Sequence, residues 1–332
     1  MRSVVLRLLV LLSLLGSFTS VTTARPTEQP STPSSFTFAL IGDLGYTARQ
    51  EPLLQNLLDE LNATPDLAFV VHDGDLWGGG GCADQRYMGR FAQFQASVHP
   101  LIFTPSDNDW TDCHSSGFDP IDRLNLERRV FFSDGFSLGQ QRLPQIRQSE
   151  DPAYALYREN ARWSYGGVTF ITLNVAGSRN NFGRTEEMDA EATARTTADL
   201  EWMRRGFEAA ERENSRAVMI VWQANPGFDQ RPEENARFQP LLDALQEHAI
   251  AFEKPVVLVH GDSHYFRIDK PLPVGPDFEC TAIANFTRVE TFGQPNHHWL
   301  RVTVDSDDPS VFTFRQRIVE ANAGCGAPTD PC

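Results

Sequence analysis

Apolar and polar positions along this chain switch repeatedly between two periods. Phe36 to Ile41 is a short apolar run of strand length, after which Leu53, Leu54, Leu57, Leu58 and Leu61 recur at the spacing of one helical face. Leu67 to Val71 predicts the second strand, and Tyr87, Phe91 and Phe94 mark the helix that follows. Pro100 to Phe103 predicts a third strand, and Asp119 to Phe132 a helix. The alternation continues with a strand at Val168 to Leu173 and a long helix carrying Leu200, Met203, Phe207 and Ala210. A strand at Ala217 to Trp222, a helix over Phe238, Leu241 and Leu245, and a strand at Val256 to Val259 follow. Past Cys280 only strands are predicted: Thr281 to Asn285, Trp299 to Val304 and Val311 to Arg315. Strands alternating with helices, then a closing β run, predict a layered α/β sandwich with mixed sheets.

Four of the predicted strands end on acidic or amide residues: Ile41-Gly42-Asp43, His72-Asp73-Gly74-Asp75, Ser106-Asp107-Asn108-Asp109 and His260-Gly261-Asp262-Ser263-His264. Ligands of α/β proteins gather at the carboxyl ends of strands, so these segments can meet at one pocket. Carboxylates brought together there repel, and divalent cations between them remove the repulsion. A single Gly-Asp after a strand is ordinary turn and cap chemistry. The recurrence of strand, acid, loop and helix at Asp43, Asp75 and Asp107 is not explained that way.

These blocks give the chain a resemblance to the calcineurin-like metallophosphoesterases, the superfamily that includes purple acid phosphatases. The matching segments are Gly42-Asp43-Leu44-Gly45, Gly74-Asp75-Leu76-Trp77, Ser106-Asp107-Asn108-Asp109, Gln223-Ala224-Asn225-Pro226 and Gly261-Asp262-Ser263-His264, in the family's order, over Phe36 to Asp269. The resemblance implies an α/β/β/α sandwich with two mixed sheets. It also implies two divalent ions (Mn, Mg, Ca, Fe or Zn) about 3.5 to 4 Å apart, bridged by a carboxylate and by a water that attacks phosphorus in a phosphate-ester substrate. Asp75 matches the bridging carboxylate. Asp43 and His264 match ligands of one ion, and Asp107, Gln223 and Asp262 take the other ligand positions, Gln223 through its amide oxygen.

The chain departs from the family pattern at several of these positions. Gly45 stands where many members carry histidine, and Gly78 where purple acid phosphatases carry a metal-binding tyrosine. Asn108 replaces the histidine that protonates the leaving group, and an amide cannot deliver a proton near neutral pH. Gln223, or Asn225 in the alternative register, and Asp262 replace two further histidines. The oxygen-rich set favours harder ions; the alternative is a secreted protein of this fold that binds metal or a phosphorylated ligand without turnover. Arg184, in the polar loop Arg179 to Arg184, is the candidate for the substrate phosphate.

Other chemistries fit less well. A glycosidase using Asp75 and Asp109 leaves the remaining acids unexplained, and His260 with His264 has zinc-protease spacing but follows a strand and lacks the glutamate.

The N-terminal segment changes the setting of this chemistry. Residues 1–24 carry Arg2 and Arg7 ahead of an apolar run and close on Thr22-Thr23-Ala24, a signal-peptide pattern that predicts a secreted protein with no membrane anchor after cleavage. Cleavage takes the formal net charge from −15 to −17, which disfavours nucleic acid and anionic lipid. Residues 25–35 read as a Pro/Ser/Thr-rich leader, 36–320 as one domain and 321–332 as a Gly/Pro-rich tail. Five cysteines in an exported chain predict disulfides, with Cys82–Cys113 and Cys325–Cys332 as the pairs and Cys280 left over.

Overall fold

The computed structural model describes residues 35–230, 235–273, 281–305 and 307–324. Its first half runs β1 (Ser35–Ile41), α1 (Glu51–Asn62), β2 (Leu67–His72), α2 (Asp84–Gln95), β3 (Leu101–Phe103), α3 (Pro120–Phe131), β4 (Ile146–Arg147), β5 (Ala161–Tyr165) and β6 (Val168–Thr172). A single turn, α4 (Gly177–Asn180), leads to α5 (Glu186–Arg212), β7 (Ala217–Val221), α6 (Gln239–Phe252) and β8 (Val256–His260). The closing strands are β9 (Arg267–Asp269), β10 (Phe286–Glu290), β11 (Trp299–Asp305) and β12 (Phe312–Arg317).

Two mixed sheets result, ordered β12-β11-β1-β2-β3 and β4-β5-β6-β7-β8-β10-β9. Strands β1, β2 and β3 are mutually parallel, as are β6, β7, β8 and β10. Parallel strands covered on both faces read as continuous apolar runs, which is why these segments were legible as strands. Phe38, Leu40, Phe69 and Val71 of the first sheet pack with Phe170, Met219, Val221, Val257 and Val259 of the second. The alternate residues Ala39, Ile41 and Val70 face outward against Leu54, Leu57 and Leu61 of α1, Tyr87 and Phe94 of α2 and Phe131 of α3. On the far side Ile171, Val218, Ile220 and Leu258 meet Trp202, Met203 and Phe207 of α5 and Leu241 and Leu245 of α6. The layers are therefore α/β/β/α. Truncating a ring such as Phe69, fully buried between the sheets, would cost about 3–5 kcal/mol.

Helix starts follow local chemistry. Asp119 accepts the Ile121 N–H at 2.8 Å ahead of Pro120, and Thr185 accepts the Met188 N–H at 3.2 Å ahead of Glu186, Glu187 and Asp189.

Three strands were not anticipated, and one was misplaced. Strand β5 pairs with β6 through Gly166 and Gly167, whose φ values of 55° and 78° suit a tight hairpin. The Gly-Gly dipeptide was its signal. Strand β4 adds to β5 over only two residues, and β9 is a three-residue edge. Thr281 to Asn285 is not a strand: Ala282 makes one isolated bridge to Pro273, and the strand begins at Phe286. The Asn285 amide forces the turn by donating to the carbonyls of Ala249 and Lys254, at 2.7 and 2.8 Å.

Cys82 and Cys113 form a disulfide that joins the loops after β2 and β3. Residues 1–24, nearly all of the leader, Cys280, Cys325 and Cys332 lie outside the described residues. The described residues fall in one compact unit. Among them no helix is long and apolar enough to cross a membrane.

Candidate metal centre

The carboxyl ends of β1, β2 and β3 in one sheet meet those of β7 and β8 in the other. Asp43, Asp75, Asp107, Gln223, Asp262 and His264 follow these five ends and come together. The two sheets are stitched at this point. Asp43 Oδ1 accepts the Asp262 N–H at 2.9 Å, and the Asp43 carbonyl accepts the Gln294 N–H at 2.9 Å. Asp43, Asp75, Asp262 and His264 all hold positive φ, from 54° to 74°. Non-glycine residues enter this region at a cost, and such strain collects at functional sites.

Asp75 divides the cluster in two. On one side, ligand atoms of Asp43, Asp75 and His264 lie within 4.8 Å of one another. His264 Nε2 is 3.5 Å from Asp43 Oδ1, while its Nδ1 is 2.8 Å from the Gln294 carbonyl. That carbonyl accepts the Nδ1–H, which leaves Nε2 turned toward the carboxylates. The Tyr46 hydroxyl contacts all three groups: Asp43 Oδ1 at 3.3 Å, His264 Nε2 at 2.9 Å, and Asp75 Oδ2. Asn108 Nδ2 also donates to Asp75 Oδ2, at 2.7 Å.

On the other side stands Gln223. Its amide oxygen accepts the Gly177 N–H at 2.7 Å. Its Nε2 therefore faces Asp107 Oδ1 at 3.1 Å, Asp262 Oδ1 at 3.3 Å and Asp75 Oδ1 at 3.5 Å. The oxygen that the sequence reading offered to a metal is thus turned to the backbone.

Gly74 and Gly177 make this packing possible. Gly74 has φ 123°, and a Cβ there would fall 2.7 Å from Gln223 Cγ; a Cβ on Gly177 would fall 2.6 Å from Asp107 Oδ2. After Gly177 come four consecutive left-handed residues, Ser178 to Asn181. Each such residue costs roughly 1–2 kcal/mol, and several bonds hold the turn. Ser178 Oγ reaches Asp107 Oδ2 and Asp112 Oδ2, both at 2.9 Å, and buried Arg195 binds the Asn180 side chain and carbonyl. Arg184 pairs with Asp112 at 2.8 Å and with Asn181 Oδ1 at 3.2 Å, two links from Asp107.

Burial and mutual repulsion dominate the electrostatics. Burial, then the charges of Asp107 and Asp43, holds Asp75 well above the carboxylate range. Burial with Asp262 and Asp112 pushes Asp107 up to about 8, and burial leads the rise of Asp109 to about 7 and of Asp262 to about 6. Burial lowers His264, but its bond to and charge interaction with Asp43 outweigh that, and it ends above the ordinary value. Burial also raises Tyr46 far above the usual phenol, so its proton stays on.

Asp109 serves the loops. Its oxygens accept from Leu76 N at 2.7 Å and Ser106 N at 3.1 Å, which staples the second block to the third and occupies the carboxyl a glycosidase would need. His72 and His260 are buried and held near pKa 3 by burial, while His114 is exposed. Tyr46 was missed from sequence. Its only trace was Gly78, noted as a lost tyrosine position: Tyr46 packs against Gly78, where a Cβ would lie 3.2 Å from its own Cβ.

No protein-family model and no curated protein matches the sequence. Among solved structures the chain is similar to a dimetal phosphatase from Danio rerio at 14% identity, covering 86% of this chain and 96% of that one with a TM-score of 0.52. Looser likenesses are to GAP50, the anchor in the inner membrane complex of Plasmodium (12% identity, 86% and 89% coverage, TM-score 0.45), and to a 5'-nucleotidase from Candida albicans (10%, 85% and 50%, 0.41). The chain has a metallophosphoesterase-like fold. At these identities the likeness is one of fold alone.

Proposed function

We propose that this chain is a secreted, metal-dependent hydrolase of phosphate esters. The observation that carries the reading is the convergence of Asp43, Asp75 and His264 from three strand ends, with His264 Nε2 turned toward the carboxylates. Two carboxylate oxygens and one imidazole nitrogen suit a divalent cation such as Mn²⁺, Fe²⁺ or Zn²⁺. One phenolic proton set between the Asp43 and Asp75 carboxylates, and a buried Asp43 Oδ2 with no partner among the described residues, leave these carboxylates short of positive charge. A bound ion would supply that charge and polarise a phosphoryl oxygen.

The remaining residues position. Asn108 fixes the Asp75 carboxylate, the Gln294 carbonyl fixes His264, and Asp112 with Ser178 couples Arg184 to Asp107, from where we assign Arg184 to a substrate phosphate oxygen. Export is supported by the N-terminal signal pattern and by the Cys82–Cys113 disulfide.

The test is hydrolysis of aryl phosphate mono- and diesters by chelator-treated protein after adding Mn²⁺, Mg²⁺, Ca²⁺, Fe²⁺ or Zn²⁺ in turn. Turnover that requires an ion supports the reading. Ion binding with no turnover of any ester supports the second reading, a binding protein of this fold, which the Asn at position 108 favours.

A further inference from the structure

The two sides of Asp75 are not equivalent, and the difference bears on how many ions the centre holds. On the Asp43 side, ligand atoms converge on the Tyr46 hydroxyl. On the Asp107 side they converge on an amide that has two protons to give and no lone pair to offer a cation.

The Gln223 amide is locked in that sense. Turning it over would set its NH2 against the Gly177 N–H and leave a buried backbone donor without an acceptor. Swinging the side chain away is blocked as well: Gln223 is fully buried, and its Cβ and Cγ lie against the backbone at Gly74. The outer oxygens of the two flanking carboxylates are already used, Asp107 Oδ2 by Ser178 Oγ and Asp262 Oδ2 by the Asn225 N–H, each at 2.9 Å. Gly177 lies beside both carboxylates, close enough that a Cβ there would fall 2.6 Å from Asp107 Oδ2 and 2.7 Å from Asp262 Oδ1.

We propose that this chain holds one divalent cation per molecule, between Asp43, Asp75 and His264, and that the Gln223 amide fills the position a second ion would take. The inference rests on the metal-dependent reading above and narrows it. Asp107 and Asp262 then serve as acceptors for Gln223, and the amide bridges the carboxylates that would otherwise need a cation. Removing the amide donor, and not any change in the Asp43 side, is what would open the second position.

The experiment is equilibrium dialysis of the full chain, stripped by chelator, against Mn²⁺ and separately Zn²⁺, with bound metal measured by elemental analysis at saturation. Wild type is expected to bind one ion per chain and Asp43→Asn none. Gln223→His and Gln223→Glu each replace the donor with a ligand, and are expected to bind two. Two ions in wild type would overturn the inference while leaving the metal-dependent reading standing; no ion in wild type would overturn both. One ion in wild type and still one in both folded Gln223 variants would overturn the role given to the amide. If those variants do not fold, the wild-type stoichiometry together with Asp43→Asn decides the proposal.

Discussion

The amide nitrogen of Asn108 donates to Asp75 Oδ2 at 2.7 Å. The residue standing where the resemblance places a proton donor is therefore bound to the central carboxylate. An amide in that place orients and cannot protonate. Hydrolysis should depend steeply on the leaving group, with nitrophenyl esters turned over far faster than alkyl esters. Asn108→His should flatten that dependence, and Asn108→Ala should loosen Asp75 and lower metal affinity about tenfold. A rate series over leaving groups, with metal titrations of both variants, checks this; equal rates for aryl and alkyl esters in wild type would show that another residue supplies the proton.

Tyr46 touches every group of the Asp43–Asp75–His264 set. Tyr46→Phe removes the hydroxyl and keeps the ring over Gly78. Metal affinity should fall by about ten- to a hundredfold with the circular dichroism spectrum unchanged. An unchanged affinity would reduce Tyr46 to a packing residue.

The chelated protein should lose stability between about pH 4 and pH 8. Burial and neighbouring acids raise the folded-state values of Asp262, Asp109 and Asp107 to about 6, 7 and 8, from an ordinary 3.8. A group raised on folding stabilises fully below its unfolded value, and that contribution is lost as pH climbs through the folded value. The melting temperature of metal-free protein should fall across this window, and Mn²⁺ should shrink the fall by displacing protons. A rising melting temperature without metal would show that the acids are ionised and paired.

The Cys82–Cys113 bond closes a 31-residue separation and ties the loop after Asp75 to the loop of Asn108 and Asp109. Cys82→Ser should cost about 3–4 kcal/mol by denaturant unfolding, and metal affinity should fall with it because both loops border Asp75. Lost stability with unchanged affinity would separate the disulfide from the centre.

The sequence made the layers and most ligand positions legible because parallel strands covered on both faces leave unbroken apolar runs, and Asp43, Asp75, Asp107 and Asp262 each follow one. The short strands β4 and β9 carry no such run, and β5 is signalled only by the Gly166-Gly167 turn that joins it to β6. What also escaped was anything set by one loop folding over another. Tyr46 gains its place only because Gly78 leaves room for its side chain, and the Gln223 amide gains its direction only from the Gly177 N–H. The left-handed run Ser178 to Asn181 has no local signature beyond two asparagines, since Arg195 and Thr196 of α5 help to hold it from a distance in sequence.

The most direct test of the account is an anomalous-difference map from crystals of the protein soaked in Mn²⁺. A peak bounded by Asp43, Asp75 and His264, absent from Asp75→Asn crystals, is the predicted result. No peak there at saturating Mn²⁺, or one bounded by Asp107, Gln223 and Asp262 instead, would contradict it.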